Sequence, residues 1–232
     1  MQPRPILKAL SIVAITLSIS LPARAQKMGN PSQKCYLSTG AEGYILSTTL
    51  QQKQGEGINL STPRFTGFVN IGLNVNYDFT KRLGLYAGLS IKNIGFIEKF
   101  NNPDSTVKRR VYTFGIPVAL KLGDVKYGSY LLIGGGVDFP FNYREKGFVK
   151  RSDKVKFNEW FSDRTPRVMP YVFIGVHLRP LLAIKLQYYP LNFMNPNYAY
   201  ADGAGFHTPY SNYDVKLLML TAGFDISYRP KN

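Results

Sequence analysis

The chain has 232 residues, with 29 Lys and Arg against 14 Asp and Glu, a net charge of +15 and a single cysteine. Cys35 alone excludes an internal disulfide and a cysteine-rich metal site. A mean hydropathy of −0.14 is unlike that of a helical membrane protein, yet natural for a chain that turns only half of each strand to lipid.

Residues 1–25 have the parts of a secretory signal: Arg4 and Lys8, an apolar run from Ala9 to Leu21, and Ala23-Arg24-Ala25 as a small-x-small cleavage site. Gln26 is the expected mature N-terminus, and residues 26–35 read as a lead-in. A first strand is expected over 36–48, with Leu37, Ala41 and Ile45 on one face and Ser38, Glu42 and Tyr44 on the other. The stretch 51–63 is polar and turn-rich and reads as a loop.

The clearest pattern follows. Phe65, Val69, Ile71, Leu73, Val75, Tyr77 and Phe79 alternate with Thr66, Asn70, Asn74, Asn76 and Asp78. After Thr80-Lys81-Arg82 the alternation resumes with Leu83, Leu85, Ala87, Leu89 and Ile91 against Gly84, Tyr86, Gly88, Ser90 and Lys92. Period two means strands, here long enough to cross a bilayer at a tilt, with one face apolar throughout. Residues 98–110 read as a second polar loop. The next strand, 111–122, sends Tyr112, Phe114, Ile116, Val118 and Leu120 to one face, and Pro117 predicts a bulge or local irregularity because it lacks a ladder donor. A short connection leads to a strand over 129–143, where Gly134-Gly135-Gly136 blurs the alternation and suggests bending or a bulge.

Residues 144–167 form the longest polar segment, with eight Lys or Arg against four acids and the only tryptophan, Trp160. Strands over 168–178 and 181–191 are joined by a tight turn through Arg179-Pro180. A last long segment, 192–212, precedes a strand over 215–229. The connections alternate long and short, as in a barrel with both termini on the periplasmic side. The expected fold is all-β: an eight-stranded antiparallel up-and-down transmembrane β-barrel over 36–229, with a short tail at 230–232, in the cell outer membrane. A soluble lipocalin-type barrel is the rival, but it would face its apolar residues inward.

Eight strands leave a lumen that side chains fill. The inward set on this alternation is Glu42, Asp78, Lys92, Lys121, His177, Arg179, Lys185 and Asp225, expected to pair into a polar plug, because unpaired burial of either charge is expensive. Arg144, Lys146, Lys150, Arg151, Lys154, Lys156, Trp160 and Arg164 are the candidate loop contacts. For a secreted chain their target is outer-membrane lipid and lipopolysaccharide, or an envelope protein, rather than nucleic acid; a merely solvated loop is the plain alternative. No cofactor, metal site or catalytic constellation is expected. The one chemical rival is an outer-membrane lipid hydrolase of the lipid A deacylase kind, centred on His207 and Ser211, whose spacing departs from His-x-Ser.

The run Ile116-Pro117-Val118-Ala119-Leu120-Lys121, followed by a short turn and Tyr130-Leu131-Leu132-Ile133-Gly134-Gly135-Gly136, resembles the PorT-like family of small outer-membrane β-barrel proteins. The resemblance implies an outer-membrane barrel, usually without assigned activity, with some members serving protein-secretion or gliding machinery. The ending Tyr228-Arg229-Pro230-Lys231-Asn232 departs from the terminal aromatic common among such barrels.

Overall fold

The computed structural model describes residues 34–52, 59–101, 104–149, 153–203, 205–212 and 214–228. The expected signal peptide, most of the lead-in and the C-terminal tail lie outside the described residues.

The described residues form no helix and are dominated by antiparallel strands. In chain order these are β1 (Cys35–Thr39), β2 (Ala41–Gln52), β3 (Asn59–Leu60), β4 (Arg64–Asp78), β5 (Leu83–Asn101), β6 (Asp104–Asp124) and β7 (Ser129–Val149). There follow β8 (Asp153–Trp160), β9 (Met169–Leu178), β10 (Leu182–Tyr189), β11 (Tyr200–Asp202), β12 (Gly205–His207), β13 (Asp214–Phe224) and β14 (Ser227–Tyr228). One sheet runs from β4 through β5, β6, β7, β9 and β10 to β13. Its ladder then returns on itself, since β13 pairs β2, β2 pairs β4, and β1 lies between β4 and β14. β11 and β12 form a separate hairpin.

Alternation sorts the side chains as period two demands. On β4 the asparagines Asn70, Asn74 and Asn76 are buried, whereas Ile71, Leu73, Val75 and Tyr77 are exposed. On β6 Lys121, Ala119 and Thr113 are buried, whereas Phe114, Ile116, Val118, Leu120 and Leu122 face out. The same holds on β9, where Tyr171, Phe173 and His177 point in and Val172, Ile174, Val176 and Leu178 point out. An exposed aliphatic surface of this extent is stable only in an apolar solvent. From Phe114 to Leu122 the band runs ~27 Å along the strand and ~20 Å once tilted, close to the height of a barrel's lipid-facing belt.

Several elements depart from the sequence-based expectation. Ile45 is buried, not lipid-facing, because the β2–β4 register shifts between Glu42 and Tyr44 and the bulge reverses the parity. Pro117 causes no register shift: Ala87 pairs Val118 and Ser90 pairs Gly115, and only the pairings between them are missing. Gly134 to Gly136 pair without interruption on both sides, and the bulge in this region lies opposite Tyr112 and Thr113. Two segments read as loops are largely strand. β5 and β6 continue pairing to Asn101 and Asp104, and residues 144–149 extend β7 into a ladder with β8. β6 and β7 are 21 residues each, about twice the span of a tilted membrane strand, so their distal halves stand beyond the apolar band.

Candidate functional site

The interior is layered. Nearest the short turns, the Lys121 ammonium donates to Asp78 at 2.5 Å, Tyr36 at 3.0 Å and Asn76 at 3.1 Å, using all three of its hydrogens. Asn76 in turn donates to Ser38. In a second group Glu42 accepts from Lys185 at 2.9 Å, Asn70 at 2.5 Å and Gln187 at 3.1 Å. In a third, Lys92 sits 2.9 Å from Asp138, which also accepts from the Tyr189 hydroxyl at 2.5 Å, and Lys92 caps the Tyr171 ring at 3.7 Å. Each cation thus meets a carboxylate and further polar or aromatic neighbours, the condition under which charge tolerates burial. A cavity of about 20 Å³, one water in size, lies among Glu42, Asn70, Lys92, Lys185 and Gln187.

Glycines make the room these side chains need. A Cβ at Gly88 would lie 2.1 Å from Asn74 Oδ1, and one at Gly115 would lie 2.3 Å from Asp138 Oδ1. Above the charged layers the lumen turns apolar. Ile45, Phe96, Tyr143, Met169, Leu217 and Met219 pack there with Phe193 and Met194, which enter from the segment after β10 and are fully buried. Charge pairs therefore account for only part of the buried interior.

Of the inward candidates, Glu42, Asp78, Lys92, Lys121 and Lys185 are joined as above. His177 Nδ1 lies 2.7 Å from the Gly128 carbonyl, and its ring stacks on Tyr130. Asp225 is half-buried just past β13, held by its backbone bond to Leu181. Arg179 does not belong to this set: it is exposed in the turn after β9, beyond the last residue that the barrel wall encloses. Asp138, the partner of Lys92, was missing from the sequence-based set, although unbroken parity from Gly134 and Gly136 leads to it.

Beyond the apolar band, β5, β6, β7 and β8 form a four-stranded sheet whose two faces carry different charges. On the inner face Arg109 pairs with Glu98 and, at 3.3 Å, with Glu145, which also accepts from Tyr143 at 2.6 Å. The outer face has the parity of Phe114 and Ile116. There Lys108 stands opposite Lys146 and Lys146 opposite Lys156; the next row is Arg110, Arg144 and Asn158. Neither row contains a carboxylate. Arg144 donates to Asn158 at 3.0 Å and lies over the Tyr112 ring, and the Phe141 ring stacks on exposed Trp160.

Arg144, Lys146, Lys156 and Trp160 are thus brought together with Lys108 and Arg110, which the sequence reading left out. Lys150 and Arg151 lie outside the described residues, as does the side chain of Lys154. Arg164 is elsewhere: it donates to Tyr210 at 3.2 Å and lies over Phe157 and Tyr198, tying the distal segments together. Burial alone would lower its pKa, but the Tyr210 bond and the neighbouring tyrosines outweigh that and move it upward. His207 stacks on Tyr200 in the β11–β12 hairpin, and the Ser211 hydroxyl donates to the Thr208 carbonyl.

A sheet that returns on itself, with aliphatic side chains outside and charged groups sealed inside, defines the class of β-barrels that live in lipid. The chain belongs to the outer membrane protein beta-barrel domain family, whose sequence pattern matches residues 25–229. Among curated proteins no sequence matches. The solved structures similar to it include the following three. Ail, the attachment invasion locus protein of Yersinia pestis, is 13% identical, with 82% of this chain and 97% of that one covered and a TM-score of 0.36. Ail in complex with the heparin analogue sucrose octasulfate is 12% identical over the same shares, with a TM-score of 0.34. Neisserial surface protein A is 9% identical, with 84% and 98% covered and a TM-score of 0.42.

Proposed function

We propose that this outer-membrane protein, after removal of residues 1–25, is an eight-stranded up-and-down barrel without enzymatic activity. Its lumen is closed by its own side chains, and it acts by display. Its partner is lipopolysaccharide, held through phosphate groups by the outer face of the β6–β8 sheet. One observation carries this reading: Lys108, Arg110, Arg144, Lys146 and Lys156 share a face that continues the lipid-facing band directly. Like charges opposite each other across a ladder repel, and an anionic layer around the barrel relieves that repulsion. Arg offers planar bidentate contacts to phosphate, and Tyr112 and Trp160 suit the headgroup region. Within the family, the likeness of residues 116–121 and 130–136 to PorT-like proteins favours service in a secretion or gliding complex as the second reading.

The test is binding of purified lipopolysaccharide to the refolded barrel, compared with dephosphorylated lipopolysaccharide. Each basic residue near an anionic surface is worth about 1 kcal/mol. The double variant Arg110→Gln, Arg144→Gln is expected to bind roughly 30-fold more weakly. Equal affinity for the dephosphorylated form refutes the proposal.

A further inference from the structure

β8 has one paired edge. It pairs β7 from Asp153 to Trp160, and among the described residues no strand pairs its other side. The direction of its backbone groups follows from one bond. Phe161 N–H donates to Phe141 O at 2.9 Å, one step beyond the pairing of Trp160 with Asn142. Bonded and non-bonded pairs alternate along an antiparallel ladder. Val155, Phe157 and Glu159 therefore exchange bonds with β7, whereas Lys156, Asn158 and Trp160 turn their N–H and C=O groups to the open edge. These three residues are exposed, with Trp160 at 61%. Proteins blunt such an edge with short strands, bulges, cover or lysines; this one is eight residues long and regular in register, and it carries only the last of these, at Lys154 and Lys156.

We propose that the open edge of β8 takes an extended acidic segment of a partner protein as an added strand. Backbone groups of Lys156, Asn158 and Trp160 supply the ladder bonds, and the cations of the outer face select the side chains. The outward side chain of a strand paired at Lys156 would stand ~5 Å from it, with Lys146 and Lys108 continuing the row, so an acid there meets a cation directly, and one paired at Asn158 faces Arg144 one strand further in. A second copy of this chain is a poor occupant, because pairing β8 with itself sets the Lys156 side chains of both copies on one face. The ladder bonds belong to the edge of the sheet alone, whereas the cations are shared with the lipopolysaccharide reading, so it is the loss of backbone bonding that distinguishes the two.

The probe is a synthetic peptide of about ten residues alternating glutamate with valine, added to the full chain refolded in detergent. Trp160, the only tryptophan, reports directly, and strand addition is expected to shift its emission to shorter wavelength. Hydrogen exchange at Lys156, Asn158 and Trp160 is expected to slow. Asn158→Pro removes a donor from the open edge and none from the β7 ladder, so it is expected to weaken the peptide by about tenfold or more while unheated gel mobility stays unchanged. N-methylation of the peptide's bonding amides is expected to do the same. Lys156→Glu is expected to transfer preference to a lysine-valine peptide. Equal binding of the N-methylated peptide, equal binding of the lysine-valine peptide to the unsubstituted chain, or indifference to Asn158→Pro would each overturn the proposal.

Discussion

Lys92 and Asp138 are 3% and 0% exposed and share the Tyr189 hydroxyl, so each depends on the other for its charge. Removing one partner leaves an uncompensated ion in a region with room for about one water. Asp138→Ala is expected to destabilise the barrel by about 3–5 kcal/mol, read from urea unfolding in lipid vesicles. The paired change Lys92→Met with Asp138→Leu should recover most of that loss, because it removes both charges. A second residue-level contrast uses glycine. Gly88→Val places a Cβ 2.1 Å from Asn74 Oδ1 and 2.7 Å from the Leu73 carbonyl, whereas a Cβ at Gly147 meets nothing within 4 Å. The first substitution is expected to destabilise by about 1–3 kcal/mol and the second to be neutral or better in the same titration.

Within a single strand, depth in the bilayer decides the outcome. Val118 lies midway along the exposed run of β6 and Leu122 at its end, both facing lipid. Val118→Arg is expected to cost about 2–4 kcal/mol and Leu122→Arg about 0–1, because arginine near the interface reaches headgroups and water. Comparable costs at both positions would mean that this face is not in lipid. The same dependence on solvent explains what the sequence revealed. Between Ile71 and Lys92 lipid and lumen demand opposite side chains, so alternation was legible, and Asn74 and Lys92 are buried while Ile71, Leu73 and Leu89 are exposed. Beyond the bilayer both faces meet water or other loops, so the contrast fades. Glu98, Arg109 and Glu145 consequently read as loop residues, although they sit in continuous ladders. A one-residue shift is also silent in the sequence: the irregularity near Glu42 turned Ile45 inward with no change in composition to announce it.

Across the whole molecule the proposed closure of the lumen rests on two layers in series. Toward the short turns, Lys121 with Asp78, Glu42 with Lys185, and Lys92 with Asp138 lie in the interior as paired charge. Toward the distal segments, Phe193 and Met194 are buried in the apolar cluster, with Phe193 against Phe96, and they belong to a segment outside the strands. An ion crossing the first layer must break charge pairs that have few waters to replace them, and one crossing the second must shed its hydration among apolar groups. The barrel is therefore expected to pass no steady current in planar bilayers. The double variant Phe193→Ala, Met194→Ala is expected to remain closed as well, because it opens only the distal layer. It should nevertheless lose about 4–8 kcal/mol of stability, since two fully buried side chains are truncated. Steady openings from the unsubstituted chain, or from the Phe193 and Met194 variant alone, would show that the charged layers do not seal the lumen.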